Sequence, residues 1–285
     1  MAQVVSRIVT HPSLAERDDT LEVMLQHERP SRDVVNLTRQ ATVRRRPASP
    51  TVSVVVPTLN EARNLPYALA NVPRDVLEII VVDGRSTDDT ALVAQALFPE
   101  VRIVHQDRAG KGNALLHGFN AAAGDIIVMF DADGSADGAE IPRFVQALID
   151  GADFAKGSRF AKGGGSADIT RLRRLGNAFL NSLVNGLFGT EYEDLCYGYN
   201  AFWRRCLPYL APECDGFEVE TLMNIRAHKA GLKVVEVPSF EAARVHGASN
   251  LRAVRDGLRV LRTVARERWL TSSAMTRPTV RATSV

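Results

Sequence analysis

Cysteine is scarce in this 285-residue chain: there are three, Cys196, Cys206 and Cys214. They are odd in number and show no metal-ligand spacing. That excludes a disulfide framework or a zinc finger and fits a reduced, cytoplasmic setting. No apolar run approaches the roughly 18 residues that cross a bilayer, so no transmembrane helix is expected. The N-terminus has no basic stretch followed by an apolar one, so no secretory signal is expected either. Net charge is also small, +2 from 35 Lys and Arg against 33 Asp and Glu, which argues against nucleic acid as a partner. A dinucleotide G-x-G-x-x-G fingerprint, a Walker P-loop and internal repeats are all missing.

What remains is ordinary globular composition, 45% hydrophobic and 24% charged, in a chain long enough for one sizeable core. Residues 1–50 are polar and end in Pro47-Ala48-Ser49-Pro50. They read as a flexible N-terminal extension with a short helix near 14–26. Residues 271–285, rich in Thr, Ser and Arg, read as a disordered tail. Between them, apolar β-branched runs at 52–56, 77–82, 101–105 and 125–130 alternate with helical segments at 62–71, 87–97 and 111–123. Continuously apolar strands separated by helices imply an α/β domain over 51–270, a mostly parallel sheet flanked by helices. The second half is less regular, with a short strand at 154–157, helices at 172–187 and 218–230, and a strand at 232–237. A last helix over 251–269 carries apolar Val254, Leu258, Leu261 and Val264. Arginines cluster at 44–46, 171–174 and 252–268.

In parallel sheets ligands bind beyond the carboxyl ends of the strands. Here those ends carry Asn60-Glu61, Asp83 and Asp131-Ala132-Asp133. Residues two apart in an extended segment point the same way, so Asp131 and Asp133 can approach one hard divalent cation, Mg²⁺ or Mn²⁺, which also bridges diphosphate oxygens. A polar turn with a helix cap would look the same in isolation. Asp83 can accept hydrogen bonds from a base or ribose, while Thr87 and Asp88 read as capping residues. Glu61 reads equally as a ligand contact or as an acid favoured at a helix start. Gly110-Lys111-Gly112 can bring a cation and backbone amides to a phosphate. Arg244 and His246, in Arg244-Val245-His246-Gly247-Ala248-Ser249-Asn250, can meet phosphate or metal. Asp215, Glu218 and Glu220 gather at a helix start, where one can orient or deprotonate an acceptor and another can cap.

In this order the motifs resemble the family 2 glycosyltransferases, close to the dolichol-phosphate-mannose-synthase-like branch. The matching stretches are Val54–Glu61, Val81–Gly84, Gly110–Gly112, Asp131–Asp133, Gly157–Arg159, Asp194-Leu195 with Gly198-Tyr199, Phe217–Glu220 and Arg244–Leu251. The resemblance spans about residues 51–265. It implies a GT-A (Rossmann-like) fold in a single domain, a UDP- or GDP-linked nucleoside-diphosphate sugar as donor, a divalent metal, and inversion at the anomeric centre. By this similarity Pro57, Glu61 and Asp83 hold the nucleoside, with Asn60 beside them, and Lys111 sits near the diphosphate. Asp131 and Asp133 lie at the metal and phosphates, with Arg244, His246 and Ser249 closing over them. The implied acceptor is a polyprenyl phosphate at the inner membrane surface, contacted through helix 172–187 and its arginines, or a soluble metabolite. An acceptor hydroxyl would require Asp194, Glu218 or Glu220 as base. The resemblance departs at Asn200, where the branch often has arginine, and in the lack of C-terminal membrane helices. A homodimer is compatible with all of this. A nucleotidyltransferase and a non-catalytic nucleotide-sugar-binding protein are the alternative readings.

Overall fold

The computed structural model describes residues 47, 49–210 and 212–270. The helix expected near 14–26, most of the extension and the tail after 270 lie outside the described residues. Apolar β-branched runs form the central strands: β1 (Val52–Thr58), β2 (Glu78–Asp83), β3 (Arg102–His105) and β4 (Ile126–Met129). They pair in parallel, in the spatial order β3-β2-β1-β4. Val54, Val55, Val56, Ile80, Val81, Val82, Ile126, Ile127 and Val128 are all fully buried, as strands covered on both faces require.

The sheet continues through β7 (Asn200–Trp203), β5 (Phe154–Ser158) and β8 (Val234–Pro238). β5 and β8 are parallel to each other, while β7 runs antiparallel to both β4 and β5. The expectation of a mostly parallel sheet flanked by helices therefore holds, with one inverted strand inside it. Sequence periodicity did not reveal β7. Four buried residues, Asn-Ala-Phe-Trp, are too short a run to tell strand from helix, and their pairing depends on neighbours 44 and more residues away. Two short strands, β6 (Gly165–Ser166) and β9 (Phe240–Glu241), pair separately.

The first helix, α1 (Leu65–Ala68), is a single turn rather than the whole of 62–71. α2 (Thr90–Leu97) starts later than expected, because an Asp88 carboxylate oxygen accepts the Thr90 N–H at 3.1 Å and keeps 87–89 outside the helix. α3 (Lys111–Ala121) agrees closely with the sequence. α4 (Ile141–Ile149) was not anticipated, although Ile141, Phe144 and Leu148 form a buried stripe. α5 (Arg171–Phe188), α6 (Leu207–Leu210), α7 (Val219–Lys229) and α8 (Ala253–Trp269) complete the fold. Among the described residues no helix is long and apolar enough to cross a membrane.

A second, smaller core joins α5, α7 and α8 through Leu180, Val184, Ile225, Val260 and Val264. It corrects the apolar face expected of the last helix. Val264 is buried, but Val254 and Leu258 are exposed, and the buried seam instead includes Asp256, Thr263 and Glu267. Glu267 is tolerated there because Arg226 and Lys229 of α7 pair with it at 3.1 and 3.0 Å.

Candidate active site

Parallel register brings the carboxyl ends of the central strands to one edge: Thr58 lies opposite Asp83, and Asp83 opposite His105. The segment Asp131-Ala132-Asp133 follows β4 on the same edge. A pocket of about 660 Å³ opens there, and Pro57, Glu61, Lys111, Asp131, Asp133, Glu220, Arg244 and Ser249 all contribute to its wall.

Lys111 reaches this wall because of the glycines on either side. Gly110 has φ +120°, and a Cβ on it would collide with the Asp215 carbonyl; a Cβ on Gly112 would strike the Cys214 carbonyl. The first turn of α3 can therefore lie directly against the 214–215 backbone. The Gly112 N–H donates to Asp215 O at 2.9 Å, so this amide, which the sequence offered to a phosphate, is already engaged. Lys111 Nζ lies 2.7 Å from Asp131 Oδ1 and 2.8 Å from Glu220 Oε1. Burial opposes the charge on Lys111, but the Asp131 and Glu220 carboxylates outweigh it and hold the ammonium well above its ordinary range. Burial pushes the Glu220 carboxyl upward, against the pull of Lys111. Gly198 closes the cluster: a Cβ there would stand 2.6 Å from Asp131 Oδ2 and 2.7 Å from Lys111 Nζ.

A second ion cluster forms across the pocket. Arg244 Nη2 donates to both oxygens of Glu61, at 2.6 and 2.7 Å, and Nη1 lies 3.4 Å from Asp133 Oδ2. Arg244 Nε donates to the His246 carbonyl at 2.7 Å. Asn64 donates to Glu61 Oε2 and to His246 O, and its own oxygen accepts the His246 N–H. The loop after β9 is thereby tied down through its backbone. The His246 ring meets Tyr67 edge-on, with centroids 5.6 Å apart, and does not line the pocket.

The remaining candidates fall elsewhere. Asn60 accepts the Thr87 N–H at 2.7 Å, and the Asp83 carboxylate accepts that of Ser86. The first bond ties the β1–α1 loop to the β2–α2 turn and the second closes that turn on itself, and neither Asn60 nor Asp83 belongs to the pocket wall. Asp194 is fully buried; it accepts from Arg159 Nε, Nη2 and backbone N–H at 2.7, 2.9 and 3.0 Å, and from Asn177 at 3.1 Å. Burial raises its pKa, but the Arg159 hydrogen bonds and charge more than offset this and hold it below the usual range. The three carboxylates expected at the start of α7 point apart. Asp215 pairs with Arg108 at 3.1 Å, Glu218 accepts the Gly216 N–H, and Glu220 meets Lys111. Sequence reasoning passed over Arg159 and Gly198 as site residues, although both stand in matching stretches. An isolated arginine after a strand, or a glycine in the loop before one, announces nothing until its neighbours are known.

The donor set suits a divalent cation. Around Asp131 and Asp133 stand four carboxylates, counting Glu61 and Glu220, against two cations, Lys111 and Arg244. Carboxyl groups thus outnumber cationic groups by two, on oxygen ligands at the pocket wall. No group of three or more His, Cys, Asp or Glu side chains converges as a closed metal site among the described residues, so His246 does not join the two aspartates. An ion that keeps waters and takes diphosphate oxygens needs only one or two protein carboxylates.

A family model described as glycosyl transferase family 2 matches residues 53–209. A glycosyltransferase of Mycobacterium tuberculosis is 42% identical over 205 residues, covering 72% of this chain and 91% of that protein. The polyprenol monophosphomannose synthase of Mycolicibacterium smegmatis is 33% identical over 211 residues, covering 70% of this chain and 80% of its own length. Among solved structures, glucosyl-3-phosphoglycerate synthase from M. tuberculosis, in complex with Mn²⁺, UDP-glucose and glycerol 3-phosphate, aligns with a TM-score of 0.63 at 27% identity. That alignment covers 77% of this chain and 80% of the other.

Proposed function

Because the chain belongs to the family 2 glycosyltransferases and shares the GT-A fold, we propose that it transfers a sugar from a UDP- or GDP-linked donor to a polyprenyl phosphate, with Mg²⁺ or Mn²⁺ at Asp131 and Asp133. The observation that carries this reading is the carboxylate excess at the carboxyl edge of the sheet, four carboxylates against two cations in the cluster around Asp131 and Asp133. A bound divalent ion would neutralise the diphosphate of the departing nucleoside.

The protein's own groups do the rest. Arg244, held by Glu61, presents a guanidinium beside Asp133, and Lys111 presents an ammonium beside Asp131. Both stabilise the charge that grows on the leaving diphosphate as the glycosidic bond breaks. An acceptor phosphate oxygen attacks the anomeric carbon on the opposite side, and the nucleoside diphosphate departs with inversion. That oxygen is already anionic, so no strong base is needed, in keeping with the engagement of Asp194 by Arg159 and Asn177 and of Glu220 by Lys111. Arg159 and Arg173 line the acceptor side of the pocket, where apolar Leu172, Leu180, Val254 and Val260 continue the wall between α5 and α8. A prenyl chain fits such a wall. A soluble phosphorylated metabolite is the second reading, favoured by the neighbour crystallised with glycerol 3-phosphate.

The test is calorimetric titration with UDP, GDP and their sugar conjugates, with Mn²⁺ and with chelator. Metal-dependent binding of one nucleotide class, lost in Asp133→Ala, is expected. No binding of any nucleotide with metal present would sink the donor reading. Incubation of the preferred donor with polyprenyl phosphate, followed by organic extraction, then reads the acceptor: label confined to the aqueous phase would favour the soluble metabolite.

A further inference from the structure

Gln106 follows β3 at the carboxyl edge of the sheet, where it belongs to the pocket wall and is only 7% exposed. Its Nε2 donates to the Arg108 carbonyl at 2.5 Å. Arg108 is itself held in place. Its N–H donates to Oδ1 of fully buried Asn113 at 3.1 Å, and its Nε pairs with Asp215 at 3.1 Å. Reversing the Gln106 amide would set Oε1 against the Arg108 carbonyl, acceptor against acceptor, so Oε1 is the end turned away from it. No described residue donates to Oε1. It is open to the pocket, whereas the equally unpartnered oxygens of Asn200 and Asn224 are sealed off.

The space in front of Oε1 is kept clear by Gly84, which follows β2. A Cβ on Gly84 would stand 3.6 Å from Gln106 Oε1 and 2.8 Å from the Thr58 carbonyl at the end of β1. Nearby on the wall, Pro57, Thr58, Leu59, Ala109 and Gly110 carry no amide or carboxylate side chain. Glu61 is taken by Arg244 and Asn64. The Asp83 carboxylate, which the sequence offered to a base or ribose, accepts the Ser86 N–H, lies 3.6 Å from the His105 ring and stands off the wall. One fixed oxygen is thus left where three strand ends meet.

A lone acceptor with no free donor beside it matches one base edge. Uracil presents a single ring N–H between two carbonyls. Guanine presents a ring N–H and an amino group side by side, and one of them would go unpaired. Cytosine and adenine set an amino group beside a ring nitrogen acceptor, which finds no donor here because Nε2 is spent on the Arg108 carbonyl. A polar group left unpaired in a closed site costs about tenfold in affinity or more. We infer that Gln106 reads the N3–H of uracil and makes the donor a uridine diphosphate sugar. The inference deepens the donor reading proposed above and rests on it.

Calorimetric titration of the full chain with Mn²⁺ present tests it, comparing UDP, GDP and N3-methyl-UDP, in which a methyl group replaces that one hydrogen. Wild type should bind UDP at least about tenfold more tightly than either of the others. Gln106→Leu should lose about tenfold in UDP affinity and bind UDP and N3-methyl-UDP alike. A merely structural Gln106 would weaken both ligands equally and leave their ratio intact. Preference of wild type for GDP, indifference of wild type to N3 methylation, or a wild-type ratio retained by the variant would overturn the inference. If the variant misfolds, the wild-type comparison decides alone. If no nucleotide binds with metal present, the donor reading fails and the inference with it, whereas a preference for GDP removes the base assignment only.

Discussion

Glu61 and Arg244 stand 183 residues apart in the chain and meet through two hydrogen bonds of 2.6 and 2.7 Å. The first follows β1 and the second β9, so the pair anchors the C-terminal loop to the edge of the sheet where Asp133 lies. Both side chains are largely shielded, and Asn64 braces the same carboxylate. Replacing Glu61 with Ala leaves a guanidinium and an amide short of their acceptor, which costs about 2–3 kcal/mol. Denaturant unfolding should show a loss of that size. Amide exchange at residues 244–250 should accelerate more than in the β1 core, and equal acceleration everywhere would contradict the anchoring role.

Gly198 has no room for a side chain, since a Cβ would stand within 3 Å of both Asp131 and Lys111. Its backbone requires no positive φ, so the cost of Gly198→Ala should fall on the site rather than on the fold. Metal-dependent nucleotide affinity should drop by about tenfold or more, roughly 1.4 kcal/mol, with a small change in Tm. A large fall in Tm with unchanged affinity would place Gly198 outside the site.

Asp194 offers a pH test. Its folded pKa is depressed through Arg159, so the stabilisation it supplies is fully present above the ordinary carboxylate value of about 3.9 and disappears as pH falls through the lower folded value. Wild type should exceed Asp194→Asn in stability at neutral pH, and the gap should close on acidification below the ordinary value. Thermal melts across that range measure it, and a gap that widened toward acid would reverse the sign.

Lys156 is completely buried on β5. Its ammonium donates to Gly157 O at 2.9 Å and to the Asp194 carbonyl, and lies 3.5 Å from Glu236 Oε1. Glu236 also accepts the backbone N–H groups of Glu193 and Asp194, so the lysine and the glutamate hold one turn from two sides. Lys156→Met should destabilise the protein by about 1–3 kcal/mol, read by denaturant unfolding. Nucleotide binding at the Asp131 end should stay near wild type, since no contact links Lys156 to Lys111 or Arg244.

The parts of this protein that the sequence determined by itself are those carried by local pattern. Unbroken β-branched runs can only be buried on both faces, so β1, β2 and β4 were legible, and with them the edge that carries Asp131 and Asp133. α3 was legible from its helical pattern, whereas the close approach of Gly110 and Gly112 to the 214–215 backbone appeared only in the folded chain. Tertiary structure alone decided where the partners of those residues come from. Lys111 meets Glu220 more than a hundred positions away, Arg244 meets Glu61 across most of the chain, and β7 enters the sheet antiparallel between strands that precede it. It also turned His246 away from the aspartates, enclosed Asp194 between Arg159 and Asn177, and buried Glu267 while leaving Val254 and Leu258 exposed. Periodicity records which side chains are apolar. Burial of a charge depends on whether an opposite charge is waiting in the folded chain, and that is a property of long-range contact which no local window contains.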